Sequence, residues 1–311
     1  REEDQNNIVH LTPLELEIWL KKIDTLVEDI YKVLSDGLPE EYNEERIRLF
    51  GETLSRIVAS RIDGGRSHTP ALRMSNVGQP CERKLWYSIN SAEEREELPP
   101  ATRMKFLFGD ILEALLLFLA EAAGHKVEGT QDTQEIEGIK GHRDAVIDGV
   151  VVDAKSASTY SFKKFQDGDL EKNDPFGYVD QLQSYLYAGQ TDDTVTDKGR
   201  AAFLVVDKTL GNICLDVHKK KDFPYDALYR YKKEVVNSPE VPERGFEPEA
   251  DGASGNMKLG TNCSYCDFRK TCYPELRTFL YGNGPRFLTT VQRLPNVQEV
   301  WALRKWIRSP T

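Results

Sequence analysis

The dipeptide Asp148-Gly149 constrains this chain more than any other feature. It lies within GHRDAVIDGVVVDAKS, Gly141 to Ser156, between two apolar runs. Asp-Gly in that setting is the strongest short signal for a two-residue β-hairpin turn. With those two residues as the turn, pairing follows by counting. Ile147 faces Val150, Val146 faces Val151, Ala145 faces Val152, and Asp144 faces Asp153. Side chains alternate along a strand. One face therefore carries His142, Asp144, Val146, Val151, Asp153 and Lys155. The other carries Ala145, Ile147, Val150, Val152 and Ala154, a continuous apolar surface for a core. Two aspartates face each other with Cβ atoms roughly 5 Å apart, which is destabilising by itself. A hard divalent cation such as Mg²⁺, held by carboxylate oxygens, reverses that sign. A solvated hairpin face is the plainer alternative, since charged residues are mostly exposed. So apolar a back speaks for the metal.

Composition narrows the class. With 311 residues, 39% hydrophobic and 30% charged, the chain has room for one large or two small globular domains. No apolar run approaches the ~20 residues of a membrane helix, so no membrane partner is expected. A net charge of −10 argues against a general nucleic-acid binder. A local basic groove with bound metal still serves an acidic enzyme. Five cysteines in this length do not suggest a secreted disulfide scaffold, and the opening REEDQNN lacks a signal pattern. An intracellular, cytoplasmic setting is expected.

In chain order, Thr12-Pro13-Leu14-Glu15 is a capping box. It starts a helix to about Leu34, with Leu16, Leu20, Ile23, Val27, Ile30 and Leu34 on one face. A second helix spans 41–61 and a loop covers Asp63-Gly64-Gly65, closing an N-terminal helical region, 1–70. The core is expected over 71–238. Met104 to Ala123 is apolar nearly all round and should be buried. Glu113 sits in its middle, and two readings stand. It is buried and needs a partner or metal, or it shares a polar stripe with Asp110 and reaches solvent. A first strand is expected within 125–137. The stretch 156–175 reads as a polar loop in which Tyr160, Phe162, Lys163 and Lys164 suit contact with single-stranded DNA, or are ordinary loop anchors. On a helix from Pro175 to Gly189, Tyr178, Gln181 and Tyr185 share one face. Strands at 201–207 and 212–218 and a helix at 222–237 follow, with Cys214 as a core residue.

A linker, 239–262, is rich in proline, glycine and glutamate. Then Cys263, Cys266 and Cys272 form a C-x2-C-x5-C pattern within 263–281. Three cysteines so close read as metal or cluster ligands. They leave a tetrahedral site one ligand short, and Cys81 is the natural fourth; alone, it reads as a buried core cysteine. The tail, 282–311, is expected to end in an amphipathic helix with Trp301, Leu303, Trp306 and Ile307. No phosphate-cradling GxxxxGK motif is present.

The order helix, three antiparallel strands, helix, two strands resembles the α-β-β-β-α-β core of the PD-(D/E)XK nuclease superfamily. That is an α/β fold with a central mixed sheet flanked by helices. Asp144 and the Asp153-Ala154-Lys155 triplet match its D…(D/E)xK signature, with Arg143 where the name-giving proline would stand. Glu113, in GxxxE, is similar to the helix acid of many members, although RecB-like members often carry histidine there. Tyr178, Gln181 and Tyr185 match the YxxQxxxY element of the RecB-like branch. Cys81 in CxRxxWY, with the three distal cysteines, resembles the iron–sulfur staple of AddB-type nucleases and CRISPR-adaptation exonucleases. The resemblance spans about 75–281.

The resemblance implies a DNA exonuclease acting on single strands or duplex ends, with a structural [4Fe–4S] cluster on Cys81, Cys263, Cys266 and Cys272. It implies Mg²⁺ or Mn²⁺ held by Glu113, Asp144 and Asp153. Lys155 would orient or help deprotonate the attacking water and stabilise the phosphate. Gln181 and Tyr185, with Tyr178, would shape the site and hold the strand. His142 would face Lys155 and contact DNA, or serve structure alone. Lys163 and Lys164 would meet the backbone. A helicase, recombinase or other recombination or replication factor is the implied protein partner. A structure-specific endonuclease of the same fold is the alternative enzyme; a zinc-stabilised, non-catalytic DNA-binding subunit is the alternative class.

Overall fold

The Asp148-Gly149 turn forms as counted. Both residues have positive φ, 49° and 80°, as a type I′ turn requires. A Cβ at position 149 would lie 1.8 Å from Thr196 Oγ1, so backbone and space both demand glycine. The pairs Ile147↔Val150, Val146↔Val151 and Ala145↔Val152 follow.

The computed structural model describes residues 21–39, 42, 44–62 and 70–300. Helices α1 (Leu26–Asp36), α2 (Glu44–Ile62), α3 (Met74–Val77), α4 (Glu82–Asn90) and α5 (Pro100–Ala122) come first. Strands β1 (Val127–Glu128), β2 (Thr133–Ile136), β3 (Ile139–His142), β4 (Ala145–Ile147) and β5 (Val150–Ala157) follow. Then come α6 (Thr159–Gln166), α7 (Tyr178–Ala188), β6 (Arg200–Asp207), β7 (Ile213–Lys219) and α8 (Tyr225–Asn237). The last part holds β8 (Glu249–Ala250), β9 (Met257–Lys258), α9 (Thr261–Ser264), α10 (Arg269–Cys272), β10 (Arg277–Tyr281), β11 (Gly284–Thr290) and β12 (Glu299–Val300).

The central sheet has strand order β1-β4-β5-β6-β7. Only β5 and β6 are parallel; the other neighbours are antiparallel. The fold is mixed α/β with helices on both faces, in the α-β-β-β-α-β order expected. On one face Ala145, Ile147, Val150, Val152 and Ala154 pack under Leu26, Ile30, Leu116 and Ala120 of α1 and α5. On the other, Val146, Val151, Phe203 and Val205 meet Phe162, Phe165, Leu182 and Leu186 of α6 and α7. Burial on both faces is why β5 and β6 read as near-continuous apolar runs. Each fully buried aliphatic side chain contributes about 1.5–3 kcal/mol.

Four expectations are corrected. First, His142 does not reach Lys155. The hairpin ladder closes at Ala145↔Val152, and His142 pairs with Thr133 in a separate β2–β3 hairpin. That hairpin turns at Glu137-Gly138, again with two positive φ angles, 51° and 74°, but Glu-Gly is a weaker turn signal than Asp-Gly. Second, the stretch 156–175 is not a loop. It contains α6, capped by Ser158, with Phe162 and Phe165 buried. Third, Leu34 is exposed at 58%; Ile23, Leu26 and Ile30 carry the buried face. Fourth, the 239–262 stretch is more than a linker: its β8 and β9 join β10, β11 and β12 in a second five-stranded sheet, β12-β10-β11-β9-β8. Its central hairpin pairs Tyr281↔Gly284 across Gly282-Asn283, a Gly-Asn turn signal. Trp301, Leu303, Trp306 and Ile307, like the 12–15 capping box and the Asp63 loop, lie outside the described residues.

Candidate active site

Strand β5 lies in the middle of the sheet, and its residues from Val150 to Ala154 are buried. Asp153 is 1% exposed. Its Oδ2 ion-pairs with Lys155, while Oδ1 accepts no hydrogen bond. A buried carboxylate oxygen left without a donor is costly.

Asp144 stands just past the hairpin ladder. Its Oδ2 accepts a 2.8 Å hydrogen bond from the Ala154 amide, which holds it beside Asp153. Burial pushes its carboxyl well above the usual range, and the charge on Asp153 adds to this. Glu113 arrives from α5, half-buried. Gln131 Nε2 donates to its Oε1 at 2.9 Å. Burial pushes Glu113 up to about 7, Lys155 opposes, and Asp153 and Asp110 reinforce. Asp110 itself turns away into a bidentate pair with Arg61, at 2.5 and 2.7 Å. The shared polar stripe therefore splits, and Glu113 joins the acids.

Burial works against the Lys155 ammonium, but the charges on Asp153 and Asp144 outweigh it and hold its pKa up. Lys155 is a cation at neutral pH, with Nζ 5.4 Å from the Tyr178 ring centroid. Tyr185 is buried, its hydroxyl pushed up to about 12 by burial while a hydrogen bond with Gln181 opposes. Helix α7 thus brings Tyr178, Gln181 and Tyr185 to the acids from one side. Its start rests on Gly177, φ 73°, where a Cβ would lie 1.9 Å from the Gly78 carbonyl oxygen. Lys163 is exposed on α6; Lys164 bonds the Asn173 carbonyl and lies over Tyr160.

Two further residues hold this arrangement: Gln131, which sequence reading passed over, and Arg143, which it noted only as standing in place of the signature proline. Gln131 has a left-handed backbone, φ 59°, costly for a residue with a side chain. Its amide donates to the Asp144 carbonyl at 3.3 Å while its side chain clamps Glu113. Arg143 is fully buried and pairs with Asp192 at 2.6 Å and Asp132 at 3.2 Å.

As the side chains stand, no group of three or more His, Cys, Asp or Glu among the described residues is spaced to grip a metal ion. The donor chemistry nonetheless fits a divalent cation. Three carboxylates share one buried field, one Asp153 oxygen is orphaned, and Lys155 supplies counter-charge to all three.

Cys81, Cys263, Cys266 and Cys272 line one small cavity. Cys81 caps α4, its Sγ accepting from the Lys84 amide at 3.4 Å. Cys266 Sγ accepts from the Phe268 amide at 3.4 Å. Burial pushes the Cys263 thiol up to about 12, with the other three sulfurs adding, and burial pushes Cys266 up to about 11. Tyr87 stacks on Phe268 at 5.6 Å, and Arg269 pairs with Glu96 at 2.8 Å, bolting the 81–96 segment to 263–272. Four convergent sulfurs with N–H···S donors fit a thiolate-ligated group. Cys214 sits apart in β7.

No protein-family model matches the chain, and no curated protein sequence matches it significantly. Among solved structures it is similar to SSO0001, with 15% identity, a TM-score of 0.41, and coverage of 74% of this chain and 97% of that one. It is also similar to the alkaline exonuclease LHK-Exo from Laribacter hongkongensis, with 17% identity, a TM-score of 0.35, and coverage of 58% and 88%. Likenesses this loose bear on neither site nor activity.

Proposed function

We propose that this chain is a divalent-metal-dependent deoxyribonuclease of the PD-(D/E)XK type, RecB-like, acting as an exonuclease on single-stranded DNA or duplex ends. The observation that carries the reading is Asp153: a buried carboxylate with an orphaned oxygen, crowded by Asp144 and Glu113 and ion-paired with Lys155. Glu113, Asp144 and Asp153 would hold Mg²⁺ or Mn²⁺. Such an ion, when bound, lowers the pKa of a water and neutralises charge on the scissile phosphate. Lys155, an ammonium, donates toward the phosphate oxygens, where charge grows in the transition state. It orients the attacking water rather than deprotonating it. The Tyr178 ring keeps solvent off that lysine. Tyr185 and Gln181 brace each other and fix the wall of the site. Lys163, exposed beside Tyr160, meets the departing strand; Lys164 is already engaged with Asn173.

Cys81, Cys263, Cys266 and Cys272 would carry a structural [4Fe–4S] cluster that fastens the two ends of the core together. Recombination or replication proteins, a helicase or recombinase among them, are the partners this activity implies.

Digestion of end-labelled DNA, single- and double-stranded, linear and circular, tests the reading with Mg²⁺, Mn²⁺ or EDTA. Linear strands should shorten from an end, circles should resist, and EDTA should stop the reaction. Intact DNA under both metals sinks the activity. Iron and sulfide analysis of anaerobically purified protein tests the cluster.

A further inference from the structure

We infer that an open cavity between α3 and α4 is a phosphate grip for the same strand that the acid site cuts, away from the scissile bond. The inference rests on the nuclease reading and adds a substrate contact that the D…DxK residues do not supply.

The cavity measures about 440 Å³, within the ~300–1,000 Å³ of small-ligand sites. Among the described residues its charged wall consists of Arg73, Lys84 and Arg95, with no carboxylate. The chain has 51 acidic residues against 41 lysines and arginines, so an all-cationic wall runs against its composition. Among the described residues Arg73 and Lys84 have no carboxylate partner. Arg95 reaches Asp267 only at 3.8 Å, with its guanidinium 5.6 Å from the Phe268 ring centroid. Gln79 adds an amide, while Asn76 and Ser88 are bonded to the Arg73 amide and the Ala71 and Leu85 carbonyls and shape the wall. Cations flanked by neutral polar groups are what phosphodiester oxygens bind.

Position decides which anion. Helix α3 forms one wall and packs on β3 and α7, the elements that flank the acid site. A Cβ at Gly141 would meet Met74 Cβ at 2.5 Å, three residues before Asp144. Gly78 lies against Gly177, next to Tyr178, whose ring faces Lys155. On the other side Lys84 also lines the cysteine cavity. The cationic cavity therefore sits between the acids and the sulfurs. A nucleic-acid strand leaving the acid site along α3 meets it with its backbone.

The test is fluorescence anisotropy of a labelled single-stranded oligonucleotide, in Ca²⁺ in place of Mg²⁺, across a salt series. Arg73→Gln with Arg95→Gln should weaken binding and flatten the log Kd against log salt slope by about 0.7 for each cation removed. Arg73→Lys with Arg95→Lys keeps both charges and should keep the slope, which separates charge from folding. An unchanged Kd and slope in the glutamine variant overturns the grip, whether or not the wild type cleaves DNA. Failure of the wild type to cleave, with the slope change present, overturns the nuclease reading instead. Displacement of the oligonucleotide by micromolar inorganic phosphate shows that the cavity takes free phosphate, and the strand assignment falls.

Discussion

The acid site and the cysteine corner are each assembled from distant parts of the chain, yet they stand in opposite electrostatic states. Glu113, Asp144 and Asp153 crowd negative charge into a buried space with one lysine to offset it. At the cysteines, burial pushes the Cys263 and Cys266 thiols up to about 12 and 11, among apolar rings and N–H···S contacts. The first crowds like charges around a buried aspartate; the second gathers sulfurs among apolar rings. Removing a ligand should therefore have opposite effects on stability in the two places.

The largest expected effect is on cleavage. Asp153→Ala and Lys155→Ala should each lower Mg²⁺-dependent cleavage about a thousandfold or more, of the size seen when charge-stabilising groups are lost, while DNA binding persists in gel shift. Asp144→Asn should do the same yet raise the Tm of the metal-free protein. The sign follows from linkage. Asp144 titrates well above its unfolded value of about 3.9. Its ionisation opposes folding, and that cost is absent below the unfolded pKa and grows as pH rises toward the folded one. The Asn gain, read by thermal melts in EDTA, should therefore widen from pH 4 to pH 8. A loss of Tm at pH 8 breaks the contrast.

At the cysteine corner stability leads. Between Cys81 and Cys263 lie all the proposed catalytic residues, a loop of 182 (263 − 81). By analogy with a disulfide, closing it contributes up to about 5 kcal/mol. Cys81→Ser should lose iron and melt far below the loaded wild type, with activity falling only as a consequence. After removal of the cluster from both, the two proteins should melt alike. Cys214→Ser should change neither iron nor Tm.

The two regions were also unequally legible. The acid pair followed from one Asp-Gly turn because hairpin register is set by counting, and Ala145 to Val152 pair as counted. The cysteines could be grouped by type and spacing alone, since α9 and α10 are single turns without a period. His142 was misplaced because counting cannot tell where a ladder ends. Gln131 was invisible for a different reason. Its role comes from a left-handed turn, φ 59°, at a residue type that seldom adopts one, and Gly129-Thr130-Gln131-Asp132 reads only as a loop.

Gln131 gives a finer cut at the acid site. Loss of a group that orients a metal ligand typically costs about 10–100-fold in metal affinity. Gln131→Ala should weaken Mn²⁺ binding to that extent by calorimetry. Gln131→Gly should weaken it equally but melt higher than the Ala variant, because glycine takes φ 59° without strain. Equal Mn²⁺ affinity in wild type and Ala variant removes Gln131 from the site.

The smallest effect belongs to a third buried cluster, which calibrates the other two. His218 lies between Asp216 at 3.0 Å and Glu171 at 3.3 Å, with Lys221 also on Glu171. Burial works against its charge, but hydrogen bonding and charge from Asp216, then Glu171, outweigh burial and raise its pKa. A histidine raised on folding contributes stability that is fully present below its unfolded pKa, about 6.5. That contribution is lost as pH climbs through the higher folded value. His218→Asn should thus lower Tm at pH 6 and much less at pH 9. This is a satisfied ionic cluster, so truncation destabilises it, whereas Asp144→Asn stabilises the crowded one. Melts of both variants in EDTA at the two pH values compare them directly. If His218→Asn raises Tm at pH 6, buried charge in this chain is strained everywhere, and crowding of the acids no longer marks out a metal site.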